Sequence, residues 1–298
     1  MGELELTPEN ISKWVQEIRG NNTKGDPFKP QNLGEYIGQE KAKRIVSIMV
    51  QAALKDSRDL PNTLITGPFG QGKTSLARIM ADSYKPGIPL VDATSVNKNP
   101  IQKGIVIIDE IHNLAPDICD SFNIGIDSGD IHVIGCTTDP GRLPAAFRSR
   151  FRQIYLEPYT NRDISKILSN AVTKKSLAID TAALNSIATR SRFNPRFALN
   201  YLAFILDILT LKNKRTITTE IVNEGFKELG VDKKGFSQRD YQYLDALPEN
   251  GTPVGLQFLA AVTSIDEKTI ESEVEPYLLQ QGLVDRTPKG RKLISKPK

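Results

Sequence analysis

The stretch "NTLITGPFGQGKTSLARIMA", residues 62–81, places a glycine-rich loop between a short apolar strand and a helix. Residues 67–74 match G-x-x-x-x-G-K-[ST] in the strand, loop and helix context that this pattern requires. Glycines let such a loop curl so that its N–H groups face phosphates, while the lysine reaches the β- and γ-phosphates and the threonine binds Mg²⁺. A turn with only a structural role would not need lysine and threonine together, so the stretch predicts an ATP site. The predicted contacts are Gly67, Gly70, Gly72, Lys73, Thr74 and Ser75.

Two acidic residues and a threonine end neighbouring apolar runs. "GIVIID" stops at Asp109 with Glu110 next, and "IHVIGCTT" stops at Thr138. Asp109 is expected to hold Mg²⁺ and Glu110 to polarise the attacking water. Thr138 could sense the γ-phosphate, although a strand-end hydroxyl that bonds within the protein is the alternative. An acid pair alone could be a solvated strand end, but together with Lys73 it predicts hydrolysis.

Three arginines are candidates for contact with the nucleotide. "LPAAFRSRF" places Arg148 and Arg150 just before a strand. They are either plain surface charge or an arginine finger that a subunit presents to its neighbour's γ-phosphate, and the second interpretation implies an oligomer. "NPRFALNYL" places Arg196 in the first turn of a helix, where a cation opposes the helix dipole. A contact with the nucleotide therefore explains Arg196 better than a structural role.

Short apolar strands alternate with helical patterns over residues 28–157, which predicts an α/β domain. The predicted strands are "NTLIT", "GIPLVDA", "GIVIID", "IHVIGC" and "RQIYL". One helix should follow Gly72 and another should lie near residues 115–123. Strands as continuously apolar as Ile105 to Ile108 are typical of parallel sheets covered on both faces, so we expect three layers.

The rest of the chain predicts three further segments. Residues 158–232 carry helical patterns without strand signals, so we expect an all-helical domain. In residues 233–298, three short helices precede two β-rich arms around a Pro-Lys-Gly turn, which indicates a winged helix. Residues 1–27 predict a helix at 7–19 and a linker. The helices expected within residues 158–232 are about 160–174, 180–190, 195–211 and 218–229.

The composition excludes several classes of protein. Of 298 residues, 39% are hydrophobic and 25% are charged, which is typical of a globular protein. No apolar run approaches the roughly 20 residues of a membrane span, and the acidic start is unlike a signal peptide, so we expect a cytoplasmic location. Cys119 and Cys136 predict buried thiols and no disulfide. His112 and His132 lack partners at metal-ligand spacing and are expected to be ordinary structural or surface histidines, which leaves Mg²⁺ as the expected metal.

Several phrases, in order, resemble the RuvB family of AAA+ ATPases. They are "LGEYIGQEKAKRIV", "GPFGQGKTSLARIMA", "IDEIH", "GCTT", "FRSRF" and "NPRFALNYL". "PVGLQFLAA" and "TIESEVEPYLLQQGLVDRTPKGRK" resemble the winged helix of that family. The resemblance covers about residues 28–295 and leaves the first helix unexplained. It implies a large AAA+ domain over 28–157, a helical lid over 158–232, a winged helix on DNA and a hexameric ring.

The resemblance also implies roles for individual residues. The implied ATPase residues are Lys73 and Thr74 in Walker A, Asp109 and Glu110 in Walker B, Thr138 as sensor one, Arg148 or Arg150 as arginine finger, and Arg196 as sensor two. Tyr36 and Ile37 would lie by the adenine. The net charge of +4 is too small to indicate nucleic-acid binding by itself. The basic end of the chain is either a solvated tail or, as the resemblance implies, a wing on which Arg286, Lys289 and Arg291 meet DNA phosphates.

The chain departs from the family between "IDEIH" and "GCTT". There the family has a longer segment with a β-hairpin that docks on the partner RuvA, whereas residues 113–134 leave room for one helix and a turn. The segment from Tyr84 to Ile105 is also short. The sequence therefore argues against docking on RuvA in the manner of the family.

Three functions remain open at this point. The first is an ATP-hydrolysing DNA motor of recombination, of the kind that migrates Holliday junctions, which assembles into a ring. The second is an ATP-switched DNA-binding regulator or loader from a virus or mobile element. The third is a binding module with an inactive ATPase, which the complete set of nucleotide residues makes the weakest.

Overall fold

A five-stranded parallel sheet forms the centre of the first part of the chain. The structure is a computed structural model that describes residues 28–98 and 101–297, so the helix predicted at 7–19 lies outside the described residues. The chain forms two compact units, one that ends at Tyr159 and one that begins at Thr160. The strand order in the first unit is β2-β3-β4-β1-β5. The strands are β1 (Thr63–Thr66), β2 (Leu90–Asp92), β3 (Gly104–Asp109), β4 (Ile131–Thr137) and β5 (Arg152–Tyr155).

Helices cover both faces of this sheet. Successive strand residues alternate between two cores, because side chains of a strand point to opposite faces. Leu64 and Ile108 belong to one core, and Ile65 and Ile107 belong to the other. The predicted three-layer α/β fold is therefore confirmed. The helices of this unit are α1 (Glu40–Lys55), α2 (Lys73–Tyr84), α3 (Ala93–Lys98), α4 (Pro116–Ser128) and α5 (Ala145–Arg148).

The connection between β3 and β4 is short. It contains a 3₁₀ turn, Ile111–Asn113, and α4, and no strand lies between residues 110 and 130, all of which the structure describes. Pro116 begins α4, where its missing N–H has no partner to lose, and Gly129 ends it with a φ of +79°. The connection thus has the one helix and turn that the sequence predicts.

The second unit begins with a four-helix lid. Its helices are α6 (Asn161–Lys174), α7 (Thr181–Arg190), α8 (Pro195–Leu211) and α9 (Thr219–Glu228). The prediction of an all-helical domain was wrong in one detail, because β6 (Ala178–Ile179) pairs in parallel with β7 (Thr216–Ile217). Two-residue strands are too short to show the alternation on which strand prediction depends.

A winged helix completes the second unit. Its helices are α10 (Gln238–Ala246), α11 (Leu256–Thr263), α12 (Glu267–Thr269) and α13 (Glu275–Gln280), with a π-helical segment, Ile270–Val274, between the last two. The hairpin of β8 (Val284–Thr287) and β9 (Gly290–Leu293) is the wing. None of the helices within residues 28–98 and 101–297 combines the length and apolar character of a membrane span.

A buried ion pair joins the lid to the winged helix. Arg192, just after α7, binds both carboxylate oxygens of Asp240 and donates from Nε to the Gly235 carbonyl at 2.8 Å. Asp240 is fully buried, and the Arg192 guanidinium also lies 4.8 Å from the centre of the Tyr277 ring. Arg192 and Phe193 both have positive φ values, 54° and 56°. Two consecutive residues in this costly conformation persist only where surrounding contacts hold them, as the ion pair does here.

Gly290 at the turn of the wing gives a prediction about stability. It has a φ of +131°, and a Cβ there would lie 2.3 Å from the Val254 carbonyl oxygen. We expect Gly290→Ala to destabilise the hairpin by about 2–4 kcal/mol, measured by amide hydrogen exchange over residues 284–293. Gly282→Ala is the matched control. Gly282 has a φ of +67° and a Cβ there would meet no atom, so the substitution should cost only about 1 kcal/mol of stability, from backbone strain. Equal protection of the hairpin in both variants would contradict the prediction.

Candidate active site

The carboxyl ends of β1, β3 and β4 bring the predicted nucleotide residues to one edge of the sheet. β4 lies between β3 and β1, so the loops that follow these three strands are neighbours. Residues 67–72 form the loop after β1, and Lys73 begins α2. In open parallel sheets ligands bind beyond the carboxyl ends of the strands, and the N-terminus of α2 adds N–H groups suited to an anion.

Glycines shape the loop after β1. Gly67, Gly70 and Gly72 have φ values of 154°, 75° and 87°. A Cβ on Gly72 would meet the Tyr36 hydroxyl at 2.7 Å. That hydroxyl donates to the Gly72 carbonyl at 3.1 Å, and burial raises the pKa of Tyr36 well above its usual value. Tyr36 therefore fixes the loop backbone at Gly72. The neighbouring residue, Ile37, is half-buried.

Lys73 is folded over the loop. Its ammonium donates to the carbonyls of Gly67 and Pro68, at 3.0 Å each, and the residue is only 6% exposed. Backbone carbonyls thus keep a buried cation at the centre of the loop, which suits the loop to a phosphate chain.

Thr74 and Asp109 lie together although they are far apart in sequence. The Thr74 hydroxyl donates to Asp109 Oδ2 at 2.9 Å, and the Glu110 N–H donates to Asp109 Oδ1 at 3.1 Å. A hydroxyl beside a carboxylate is a pair of hard oxygen donors, which divalent cations such as magnesium prefer. The residues present therefore fit a metal-bound nucleotide.

Glu110 carries the second carboxylate of the site. Its backbone is left-handed, with a φ of +45° and a ψ of +48°, which is a costly conformation for a residue with a side chain. The Thr138 hydroxyl donates to Glu110 Oε2 at 3.3 Å. The structure thus brings the predicted water-polarising acid and the predicted sensor into contact.

His112, expected from the sequence to be an ordinary structural or surface histidine, lies in the site. Its Nδ1 lies 3.2 Å from Glu110 Oε2 and 2.9 Å from the hydroxyl oxygen of Thr137, the buried last residue of β4. Its place two residues after Glu110 was the available signal, but the contact depends on the backbone turn at Glu110.

The two arginines before β5 lie in different surroundings. Arg148 donates to the Pro140 carbonyl at 3.0 Å. Arg150 binds Asp127 through two bonds, Nε to Oδ1 at 2.9 Å and Nη2 to Oδ2 at 2.6 Å. These bonds lower the pKa of Asp127 and raise that of Arg150. Two of the Arg150 guanidinium nitrogens are bound to Asp127, which fixes the orientation of the guanidinium at the surface. Arg150 is therefore better oriented than Arg148 for a contact with a neighbouring subunit.

Arg196 lies in the second unit, in the first turn of α8. The predicted helix start is present, because the Asn194 side chain accepts the Arg196 N–H at 2.9 Å. Arg196 is exposed there. Its predicted contact with the nucleotide stays a prediction.

The wing arginines converge on Glu275, a carboxylate that no sequence pattern indicated. Glu275 is fully buried and accepts from Arg286 Nε at 2.7 Å, Arg291 Nε at 2.8 Å and the Tyr243 hydroxyl at 2.8 Å. Burial, followed by the charge of Glu275, raises the pKa of Tyr243. The Arg286 side chain is still 44% exposed, whereas that of Arg291 is 16% exposed. Lys289 at the turn is exposed, so the three predicted DNA contacts differ in how freely they can reach a phosphate.

Fold and site together define a P-loop ATPase of the AAA+ class with a helical lid and a winged helix. Family models match the chain as a Holliday junction DNA helicase RuvB P-loop domain over residues 28–134, a RuvB AAA lid domain over 159–232 and a RuvB C-terminal winged helix domain over 233–297. The chain belongs to the RuvB family.

Individual relatives agree with this assignment. The chain is 35% identical to the Holliday junction branch migration complex subunit RuvB of a Nitratiruptor species, with 94% of this chain and 92% of that protein covered. The corresponding subunit of Campylobacter concisus is 34% identical, with 93% and 92% covered. The RuvB Holliday junction branch migration motor of Thermotoga maritima superposes with a TM-score of 0.81 at 32% identity, and the match covers 90% of this chain and 96% of that one.

The relatives also contain residues that this chain lacks. The alignment with the Nitratiruptor protein is 312 positions long, whereas 94% of 298 residues is about 280, so about 30 positions have no counterpart here.

Proposed function

We propose that this chain is an ATP-driven motor that moves the branch point of Holliday-junction DNA. The observation that carries the proposal is a pair of side-chain hydrogen bonds at one edge of the sheet. Thr74, at the start of α2, bonds Asp109 at the end of β3, and Thr138, just after β4, bonds Glu110. Such a set supports phosphate-bond hydrolysis, and the winged helix in the same chain supports work on DNA.

The phosphate-binding residues have separate tasks. Lys73 binds the β- and γ-phosphates, and the N–H groups of the loop and of Ser75 surround the phosphate chain. Thr74 and Asp109 would hold Mg²⁺. When bound, the ion would neutralise negative charge on the phosphates. Tyr36 and Ile37 contact the adenine.

Glu110 and Thr138 act at the other end of the phosphate chain. Glu110 accepts a hydrogen bond from the attacking water and so orients and polarises it. Thr138 directs its hydroxyl to the γ-phosphate. The 3.3 Å contact between these two side chains supports a shared task, because both groups must lie near the same phosphorus atom.

Two arginines outside the phosphate loop have further proposed roles. Arg150 is the arginine finger that reaches a neighbouring subunit's γ-phosphate, because Asp127 orients its guanidinium at the surface. Arg148, which donates to the Pro140 carbonyl, is the weaker candidate. Arg196 on the lid is the sensor that responds to the nucleotide. This arrangement requires an oligomer, and a hexameric ring is the form we propose.

The wing binds DNA phosphates without reading sequence. Lys289 and Arg286 supply exposed charge, and Arg291 contributes mainly by holding the hairpin on Glu275. Binding of this kind weakens steeply with salt. We further propose that the protein acts in the cytoplasm and does not dock on RuvA through a hairpin of the β3–β4 connection, which contains one helix and a 3₁₀ turn.

A four-way junction assembled from synthetic oligonucleotides tests the motor. We expect the full-length protein with ATP and Mg²⁺, and without any partner protein, to convert the junction into two duplex products, and Glu110→Gln to bind the junction without converting it. ATP-dependent binding with no conversion by the unaltered protein would contradict the motor and support a DNA-binding switch. A junction whose branch point can migrate and one of equal length whose branch point cannot are compared. Both should be bound, but only the first should be converted if the protein moves the branch point.

A further inference from the structure

We propose that His112 is a positioning residue for hydrolysis, which ties the catalytic glutamate to the end of β4. The proposal deepens the proposed function, because it assigns the group that holds Glu110 while Thr138 serves the γ-phosphate. It is carried by the position of one ring nitrogen, His112 Nδ1, at 3.2 Å from Glu110 Oε2 and 2.9 Å from Thr137 Oγ1.

The protonation of the ring follows from its neighbours. An ionised carboxylate can only accept hydrogen bonds, so Nδ1 must carry the proton if it is to bond Glu110. A bare Nδ1 would instead direct its lone pair at a negative charge. We therefore assign the hydrogen to Nδ1, which donates to the carboxylate and to the Thr137 oxygen together.

Thr137 is a firm anchor for this contact. It is fully buried, it is paired with Thr66 across the sheet, and its hydroxyl also accepts the Asp139 N–H at 3.0 Å. His112 has a 10% exposed side chain. A side chain that is itself held can fix the position of the more exposed Glu110.

Glu110 needs such a holder for two reasons. Its left-handed backbone projects it from the end of β3, where no strand continues to support it. Its other bond comes from Thr138, whose hydroxyl must turn to the γ-phosphate during the reaction in the proposed function. When that bond is lost, the donor on His112 keeps the carboxylate aimed at the attacking water.

The test compares His112→Ala with His112→Asn in the full-length protein. The alanine variant should lose about 10- to 100-fold in kcat for ATP with a nearly unchanged KM, because a carboxylate displaced by about 1 Å is misaligned while the phosphate loop is intact. Asparagine places an amide N–H near the position of Nδ1, so His112→Asn should recover most of kcat. His132→Asn is the matched control, since that ring pairs with Asp59 at 3.4 Å, away from these residues.

Four outcomes are informative. A fall in kcat with rescue by asparagine, at equal melting temperatures, supports the proposal. An alanine variant as active as the unaltered protein overturns it, and so does a raised KM with a lowered melting temperature, which would indicate a structural role only. If the unaltered protein and its Lys73→Ala variant hydrolyse ATP equally slowly, the proposed function fails instead, and the two failures are thereby distinguished.

Discussion

Replacement of Lys73 by alanine is expected to abolish ATP turnover, with a fall of at least about 10³-fold in kcat/KM. The ammonium is buried against the carbonyls of Gly67 and Pro68, at the centre of the loop proposed to bind the phosphates. No neighbouring side chain can replace a cation held by the loop's own backbone, because the charge must lie where negative charge grows in the transition state. Phosphate release at saturating ATP and Mg²⁺ measures the effect.

Lys43→Ala is a suitable control for this prediction. Lys43 is on α1, where it pairs with Glu40 at 2.7 Å, and its removal takes away one positive charge without touching the loop. The control variant should keep its turnover. Substantial ATP hydrolysis by Lys73→Ala would contradict the assignment of residues 67–74 as the phosphate loop.

The second large effect concerns Arg150. We expect Arg150→Ala to lower turnover by about 10³-fold or more, and Arg148→Ala to have a smaller effect, because Arg150 has the guanidinium that is oriented at the surface. Asp127→Ala should lower turnover less than the loss of Arg150, since it removes only the orientation of the side chain. Turnover per subunit, measured at protein concentrations at which oligomers form, distinguishes the three variants.

Mixing variants shows whether Arg150 acts on a neighbour. Neither Lys73→Ala nor Arg150→Ala should hydrolyse ATP alone, but mixed oligomers contain sites with an intact loop from one subunit and an intact arginine from the next. Part of the activity should therefore return. No return, in oligomers shown by mass to be mixed, would mean that Arg150 acts within its own subunit.

Local patterns predicted much of the fold. β1, β3 and β4 were found because their apolar runs end at residues of distinct chemistry, and the loop after β1 has a specific motif. By contrast, α1 was not predicted, although Val46, Met49, Val50 and Ala53 are buried at helical spacing. β6 and β7 depend on a pairing between residues far apart in sequence, which two-residue segments do not signal.

The candidate site was predictable by residue type but not by contact. The sequence identified Asp109, Glu110 and Thr138 from their places at strand ends. It did not show that the His112 side chain lies against Glu110. That contact depends on a left-handed backbone at Glu110, a conformation that sequence patterns signal mainly at glycines. Nor did it identify Asp127 or Glu275 as the acids that hold the arginines, since both pairings form only when distant elements pack together.

The buried ion pair of Arg192 and Asp240 attaches the lid firmly to the winged helix. Removing one partner of such a buried pair costs about 3–5 kcal/mol, because the other charge is left buried without compensation. We therefore expect the lid and the winged helix to move as one rigid body. A rotation of the lid during ATP turnover is then expected to carry the winged helix through the same angle.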